Sequence, residues 1–138
     1  MWRGHFLFTF SVTLCFIVLL DFSASAETPV DTSVKNPFAG NAEAIATGKM
    51  LFEAACTGYC HATATANRAG RCPNLFDCEW KHGGSDGEVF HSVTEGVPKT
   101  EMVGFKGRVP DEMLWKVIAY LRSASQCQNG SAPAAAAH

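Results

Sequence analysis

The sequence predicts a small all-α domain of about three main helices joined by loops, and three observations carry that expectation. Two stretches, Ala42 to Ala55 and Pro110 to about Ser125, combine strong helix formers with apolar residues on one face. Between them, Ser85-Asp86-Gly87-Glu88 has the form of a capping box, in which side chains satisfy the first orphan amides of a helix. No stretch after residue 26 alternates apolar and polar residues as a half-buried strand would.

In chain order, Trp2-Arg3-Gly4-His5 gives a short positive start, Phe6 to Leu20 is almost unbroken apolar sequence, and Ala24-Ser25-Ala26 forms an Ala-x-Ala pattern. That layout reads as a secretory signal over 1–26, cleaved after Ala26. A retained membrane anchor is the alternative. At about 1.5 Å per residue the apolar run falls short of a bilayer core of about 30 Å, and Asp21 closes it. The expectation is a periplasmic protein without a stable membrane anchor. Residues 27–40 carry Pro, Thr and Ser without apolar periodicity and read as a flexible lead-in. The domain follows over 41–127, and 128–138 reads as a disordered Ala-rich tail.

Within the domain, Ile45, Gly48 and Phe52 share a face of the first helix. Residues 62–84 bring Gly, Pro, Asn and Cys, which is loop chemistry. The capping box starts a short helix through Val89, Phe90 and Val93 that ends near Gly96. Val97 to Val109 is a further loop. Pro110-Asp111-Glu112 then opens the strongest helix, with Leu114, Val117, Ile118 and Leu121 as its buried stripe.

The formal net charge is −2, so no strongly basic surface argues for nucleic acid as a partner. Six cysteines occur. Cys15 lies in the signal, which leaves Cys56, Cys60, Cys72, Cys78 and Cys127. Export permits disulfides, but this odd set cannot be closed by disulfides alone. Some of these thiols have another use.

Cys56-Thr57-Gly58-Tyr59-Cys60-His61 supplies it. Two thiols followed at once by a histidine is the arrangement that attaches haem c. The cysteines form thioethers with the ring's vinyl groups, and the adjoining histidine becomes the proximal iron ligand. A Cys56–Cys60 disulfide beside an idle His61 is one rival. Zinc held by Cys56, Cys60, His61 and either Cys72 or Cys78 is another.

From Asn41 to Ser125 the chain resembles the class I cytochrome c family. A helix with Gly48 and Phe52 leads into the haem motif. Cys72-Pro73-Asn74-Leu75 is similar to that family's Gly-Pro-x-Leu loop, and Gly96-Val97-Pro98-Lys99-Thr100-Glu101-Met102 looks like its methionine loop. Trp115-Lys116-Val117-Ile118-Ala119-Tyr120-Leu121 is close to its closing helix. Zinc explains the thiols but leaves these further matches unexplained.

The resemblance implies one covalent haem wrapped by the helices and loops, with His61 and Met102 as iron ligands. His82 and His91 are the competitors for the second position, and Met50 and Met113 fall in helical patterns instead. It implies that the Pro73 carbonyl accepts from the ring N–H of His61. It makes Trp80, Lys81 and Arg71 candidates to meet the haem propionates, Trp80 through its indole N–H. Val117 should cross Gly48 closely, flanked by Tyr120 and Phe52. The end of the last helix comes near the loop holding Cys72 and Cys78, so Cys127 can bond to either; a Cys72–Cys78 bridge fits the spacing equally well.

One departure stands out. The family usually has two residues between its cysteines, and this chain has three. On a helix the extra residue turns Cys56 by about 100° and shifts it by about 1.5 Å. Two thioethers are still expected if the turn bulges, with Gly58 as the residue that tolerates it; one thioether through Cys60 is the alternative.

An iron with two protein ligands has no open position for substrate, which implies a single-electron carrier rather than an enzyme; a monomer is expected. Its partners would be redox proteins met in transient complexes, a dehydrogenase as donor and an oxidase or cytochrome as acceptor. The stretch Trp80-Lys81-His82-Gly83-Gly84-Ser85-Asp86 looks like a bacterial subgroup associated with methanol and other alcohol oxidation. A quinone-cofactor dehydrogenase would then be the donor. A small haem peroxidase and a haem-based redox or gas sensor are the alternatives, both needing a displaceable sixth ligand.

Overall fold

A computed structural model describes residues 29–58, 60–65 and 72–127. The signal expected over 1–26, the tail over 128–138 and Arg71 lie outside them. Among the described residues there are helices α1 (Ala42–Ala55), α2 (Asp86–Glu95) and α3 (Asp111–Ala124). Among the described residues there is no strand, and one isolated bridge pairs Gly96 with Val103. The fold is all-α, as the patterning predicts.

Each helix begins where its start signal sits. The Asn41 side chain accepts from the Ala44 amide at 2.9 Å and caps α1. At α2 the capping box is complete: the Ser85 hydroxyl accepts from the Glu88 amide, and the Glu88 carboxylate accepts from the Ser85 amide. Pro110 stands just before α3 as its cap residue, and its carbonyl accepts from Met113 and Leu114. Asp111 and Glu112 in that first turn favour the positive end of the helix dipole.

α1 and α3 cross at Gly48. A Cβ on that residue would run into the Lys116 carbonyl, so no larger residue permits this approach. Around the crossing Phe52, Phe76, Val117, Tyr120 and Leu121 form the core. Phe52, Phe76 and Tyr120 meet in a triangle of tilted and edge contacts, with centroids 5.6 to 5.8 Å apart. Phe52 and Phe76 are each 1% exposed, and burial of such a side chain contributes about 1.5–3 kcal/mol. Leu114, Val117, Ile118 and Leu121 are buried as the stripe requires, and Ala119 and Tyr120 join them. α2 lies against α3 through Phe90 stacked on Trp115, 4.2 Å apart and nearly parallel.

Part of the stretch read as a flexible lead-in over 27–40 is hydrogen-bonded to the domain. Asn36 is buried, and its side chain donates to the Trp115 carbonyl at 2.9 Å while accepting from the Phe38 amide. Its own amide donates to the Asp86 carboxylate at 2.9 Å. These contacts are hydrogen bonds rather than apolar burial, so hydrophobic periodicity carries no trace of them.

Candidate functional site

The haem-motif residues occupy the turn that closes α1. Cys56 caps the helix and donates its amide to the Phe52 carbonyl at 2.8 Å. The His61 amide then donates to the Cys56 carbonyl at 2.9 Å. That bond spans five residues, one more than an α-helical turn, and closes a wide turn of π type. Gly58 needs no left-handed backbone there, and a Cβ on it would meet nothing within 4 Å. The bulge is real, but glycine's conformational freedom is not what permits it.

His61 is oriented from the opposite side. Its Nδ1 lies 3.0 Å from the Pro73 carbonyl oxygen. A carbonyl only accepts, so Nδ1 carries the proton and the Nε2 lone pair of the neutral ring is left for a metal.

Met102 is held by its loop. The Val97 amide donates to the Met102 carbonyl at 3.0 Å, and Thr100 to the Val97 carbonyl at 3.2 Å. This forms a tight turn with Pro98 at its second position and Lys99 at its third, where φ is +63°. The Thr100 hydroxyl accepts from the Met102 amide at 3.1 Å and donates to the Val97 carbonyl. Gly96, at φ 84° and ψ −177°, starts the loop in a region almost reserved for glycine. Phe105 and Lys106 hang its far end on the Val93 and Thr94 carbonyls of α2.

These residues converge on a cavity of about 470 Å³ whose wall includes Cys60, His61, Pro73, Trp80 and Met102, with Leu75, Val89, Val93 and Leu121 giving it an apolar lining. A smaller cavity of about 40 Å³ is bordered by Cys56, Phe52 and Val117 together with His61 and Met102 again. His61 and Met102 are therefore common to both spaces. Lys81 and His82 stand on the larger wall and are exposed to solvent; His91 is exposed on α2 and is not on either wall. Met50 is exposed on α1. Burial pushes the Cys56 thiol up to about 11, with the charge of Cys60 adding to it. The uncoupled thiol is thus protonated at neutral pH.

Of the three pairings left open for the outer cysteines, the structure forms Cys78–Cys127. Cys72 lies on the wall of the larger cavity. Among the described residues no cluster of His, Cys, Asp or Glu suits a metal ion on its own, so the zinc set is not assembled. Two residues that sequence reasoning missed matter here. Thr100 is signalled weakly by its place in a proline turn. Arg122, whose guanidinium sits 5.0 Å over the Trp80 ring, carries no local signal at all.

The donor set suits haem in kind: an imidazole with a free nitrogen, a soft thioether, thiols at the edge, and an apolar slot in the usual range for cofactor sites. None of the curated proteins matches the chain significantly. Among solved structures it is similar to cytochrome CL from the marine methylotrophic bacterium Methylophaga aminisulfidivorans MPT, with a TM-score of 0.56 and 25% identity. The match covers 64% of this chain and spans 60% of that one. No helix among the described residues is long and apolar enough to cross a membrane. Residues 43–121 match the family model described as "Cytochrome C oxidase, cbb3-type, subunit III". More than half of the chain lies within that match, so it belongs to this cytochrome c family and carries covalently attached haem c.

Proposed function

We propose that the chain is a periplasmic single-electron carrier in which Cys56 and Cys60 anchor the haem, and His61 Nε2 and Met102 sulfur hold its iron. When bound, the haem supplies an iron that exchanges one electron. Everything else falls to the chain's own residues. The Pro73 carbonyl keeps His61 in the tautomer that presents Nε2. The turn of Val97 to Thr100 aims Met102, whose soft sulfur favours ferrous iron and raises the potential. Leu75, Val93 and Leu121 exclude water from the slot.

The observation that carries this reading is that His61 and Met102 border both cavities. His82 borders the larger one alone and is exposed, which favours Met102 over a second histidine. Two protein ligands leave no position for substrate, which supports a carrier over a peroxidase.

The donor is then an alcohol or methanol dehydrogenase with a quinone cofactor, and the acceptor leads towards a terminal oxidase. The names of the similar proteins support both ends, one coming from a methylotroph and the other from an oxidase. Oxidised protein is expected to show the weak sulfur-to-iron band at the red end of the visible spectrum. Met102→Ala should abolish that band and let the reduced protein bind carbon monoxide. A wild-type spectrum without the band removes Met102 from the iron. Stopped-flow mixing with such a dehydrogenase and its alcohol should reduce the haem; no reduction removes the assigned donor.

A further inference from the structure

The cavity wall formed by residues 79–83 belongs to no helix, yet Glu79, Trp80, Lys81, His82 and Gly83 all face the larger cavity. What holds it comes from the end of α3. At one side Cys78 is bonded to Cys127, and the Gln126 amide donates to the Phe76 carbonyl at 2.8 Å. At the other, Arg122 Nη2 donates to the Gly84 carbonyl at 2.6 Å, and Nε donates to the Asp86 carboxylate at 2.8 Å. The same guanidinium lies over the indole of Trp80. Asp86 is in turn fixed by the Asn36 amide.

We infer that Arg122, which stands outside the cavity, is the positioning residue for the Trp80 wall, with the Cys78–Cys127 bond fixing the wall's other end. The inference rests on the haem occupying this cavity. Arginine is required by shape: one planar fork reaches an acceptor on each of two elements while its face covers an aromatic ring, which a lysine ammonium cannot do. A wall held this way would limit the access of water to the cavity and to the haem it holds. Solvent access is one of the levers that set a haem potential, since water favours the more highly charged ferric state.

Arg122→Lys tests this, because it keeps the charge and loses the fork. Holoprotein of this variant should retain covalent haem. Its amides over 79–84 should exchange about tenfold faster in hydrogen-exchange mass spectrometry, as a locally freed segment does. Its reduced-to-oxidised ratio at fixed poise should fall several-fold. Asn41→Ala is the control for simple loss of stability: it removes the α1 cap, a bond outside this network, and should lower the denaturation midpoint while leaving potential and 79–84 exchange unchanged. Cys78→Ser/Cys127→Ser should loosen the same segment from its other end, and gives a second reading if the arginine variant fails to accumulate. A lysine variant that matches wild type in exchange and potential overturns the inference, as does an Asn41→Ala that shifts the potential equally, or a cysteine pair whose loss leaves 79–84 unchanged. Wild-type protein lacking covalent haem would instead overturn the reading of the cavity itself.

Discussion

The two sides of the cavity are built in different ways. His61 sits on a turn continuous with α1, its amide bonded to Cys56 and its ring to Pro73. α1 itself is locked to α3 at Gly48 and Phe52. Met102 sits in a loop hung from the end of α2, its backbone held by Val97 and Thr100 within the loop. Displacing His61 therefore means opening the main helix crossing, whereas displacing Met102 needs only a local opening of the loop. Local openings cost less than global unfolding, so the methionine side is where ligand exchange should begin. In the proposed carrier, His61 would be the fixed support and Met102 the adjustable ligand.

Breaking the fixed side should have the largest effect. Gly48→Ala gains up to about 1 kcal/mol of helix propensity. Its Cβ, however, points into the Lys116 carbonyl and crowds the Val117 amide at 2.8 Å. Backbone has no rotamer by which to yield, so the clash wins, with a net loss of about 3 kcal/mol. Denaturant titration should show that loss, together with a fall in holoprotein yield. Breaking the adjustable side should act more narrowly. Gly96→Ala puts a Cβ 2.6 Å from the Gly104 amide and 2.8 Å from the Met102 carbonyl, at a backbone geometry that excludes it. We expect a loss of about 2 kcal/mol and disappearance of the red-end sulfur band, while the helical circular dichroism stays near wild type.

A smaller effect concerns α2, from which the methionine loop hangs. Ser85→Ala removes the cap and should cost about 1 kcal/mol. The Ser85 hydroxyl and amide hold the Glu88 carboxyl below its usual value of 4.5. A depressed folded value means that the unfolded chain takes up the proton first as acid is added. This contribution is therefore complete above about pH 4.5 and is lost as pH falls through the lower folded value. Thermal melts from pH 6 to 3 should show a shallower acid loss in Ser85→Ala than in wild type. Equal slopes would mean that the box does not anchor the loop's parent helix.

How much of this was legible in the sequence follows from where each signal lives. The helices, their caps and the stripe of α3 are local or periodic, and residues such as Ser85, Glu88, Leu114 and Ile118 announce them. The close pass at Gly48 was legible through resemblance. Phe76 was not, because it is a core residue in a loop, where no period marks it. Asn36, Asp86 and Arg122 were not either, since their bonds join positions up to 79 residues apart in pairs such as Asn36 with Trp115. The disulfide was narrowed to three pairings by sequence and chosen by the fold, which brings the Cys78 and Cys127 Cα atoms to 5.4 Å.

The three-residue spacing of the haem motif gives the smallest expected change and the sharpest check on the fixed side. A glycine inside an attachment motif with an extra residue invites the idea that it alone lets the turn widen. The wide turn is closed instead by the Cys56 carbonyl and the His61 amide, and Gly58 is not among the residues at positive φ. A Cβ there points into open space, so no steric cost opposes the lower chain entropy that alanine brings to the unfolded state. Gly58→Ala should therefore fall within about 0.5 kcal/mol of wild type, with the same haem mass on the denatured chain and the same spectrum. Loss of one thioether would show that the turn must pass through a glycine-only conformation during attachment. The fixed side would then be rigid only once the haem is on.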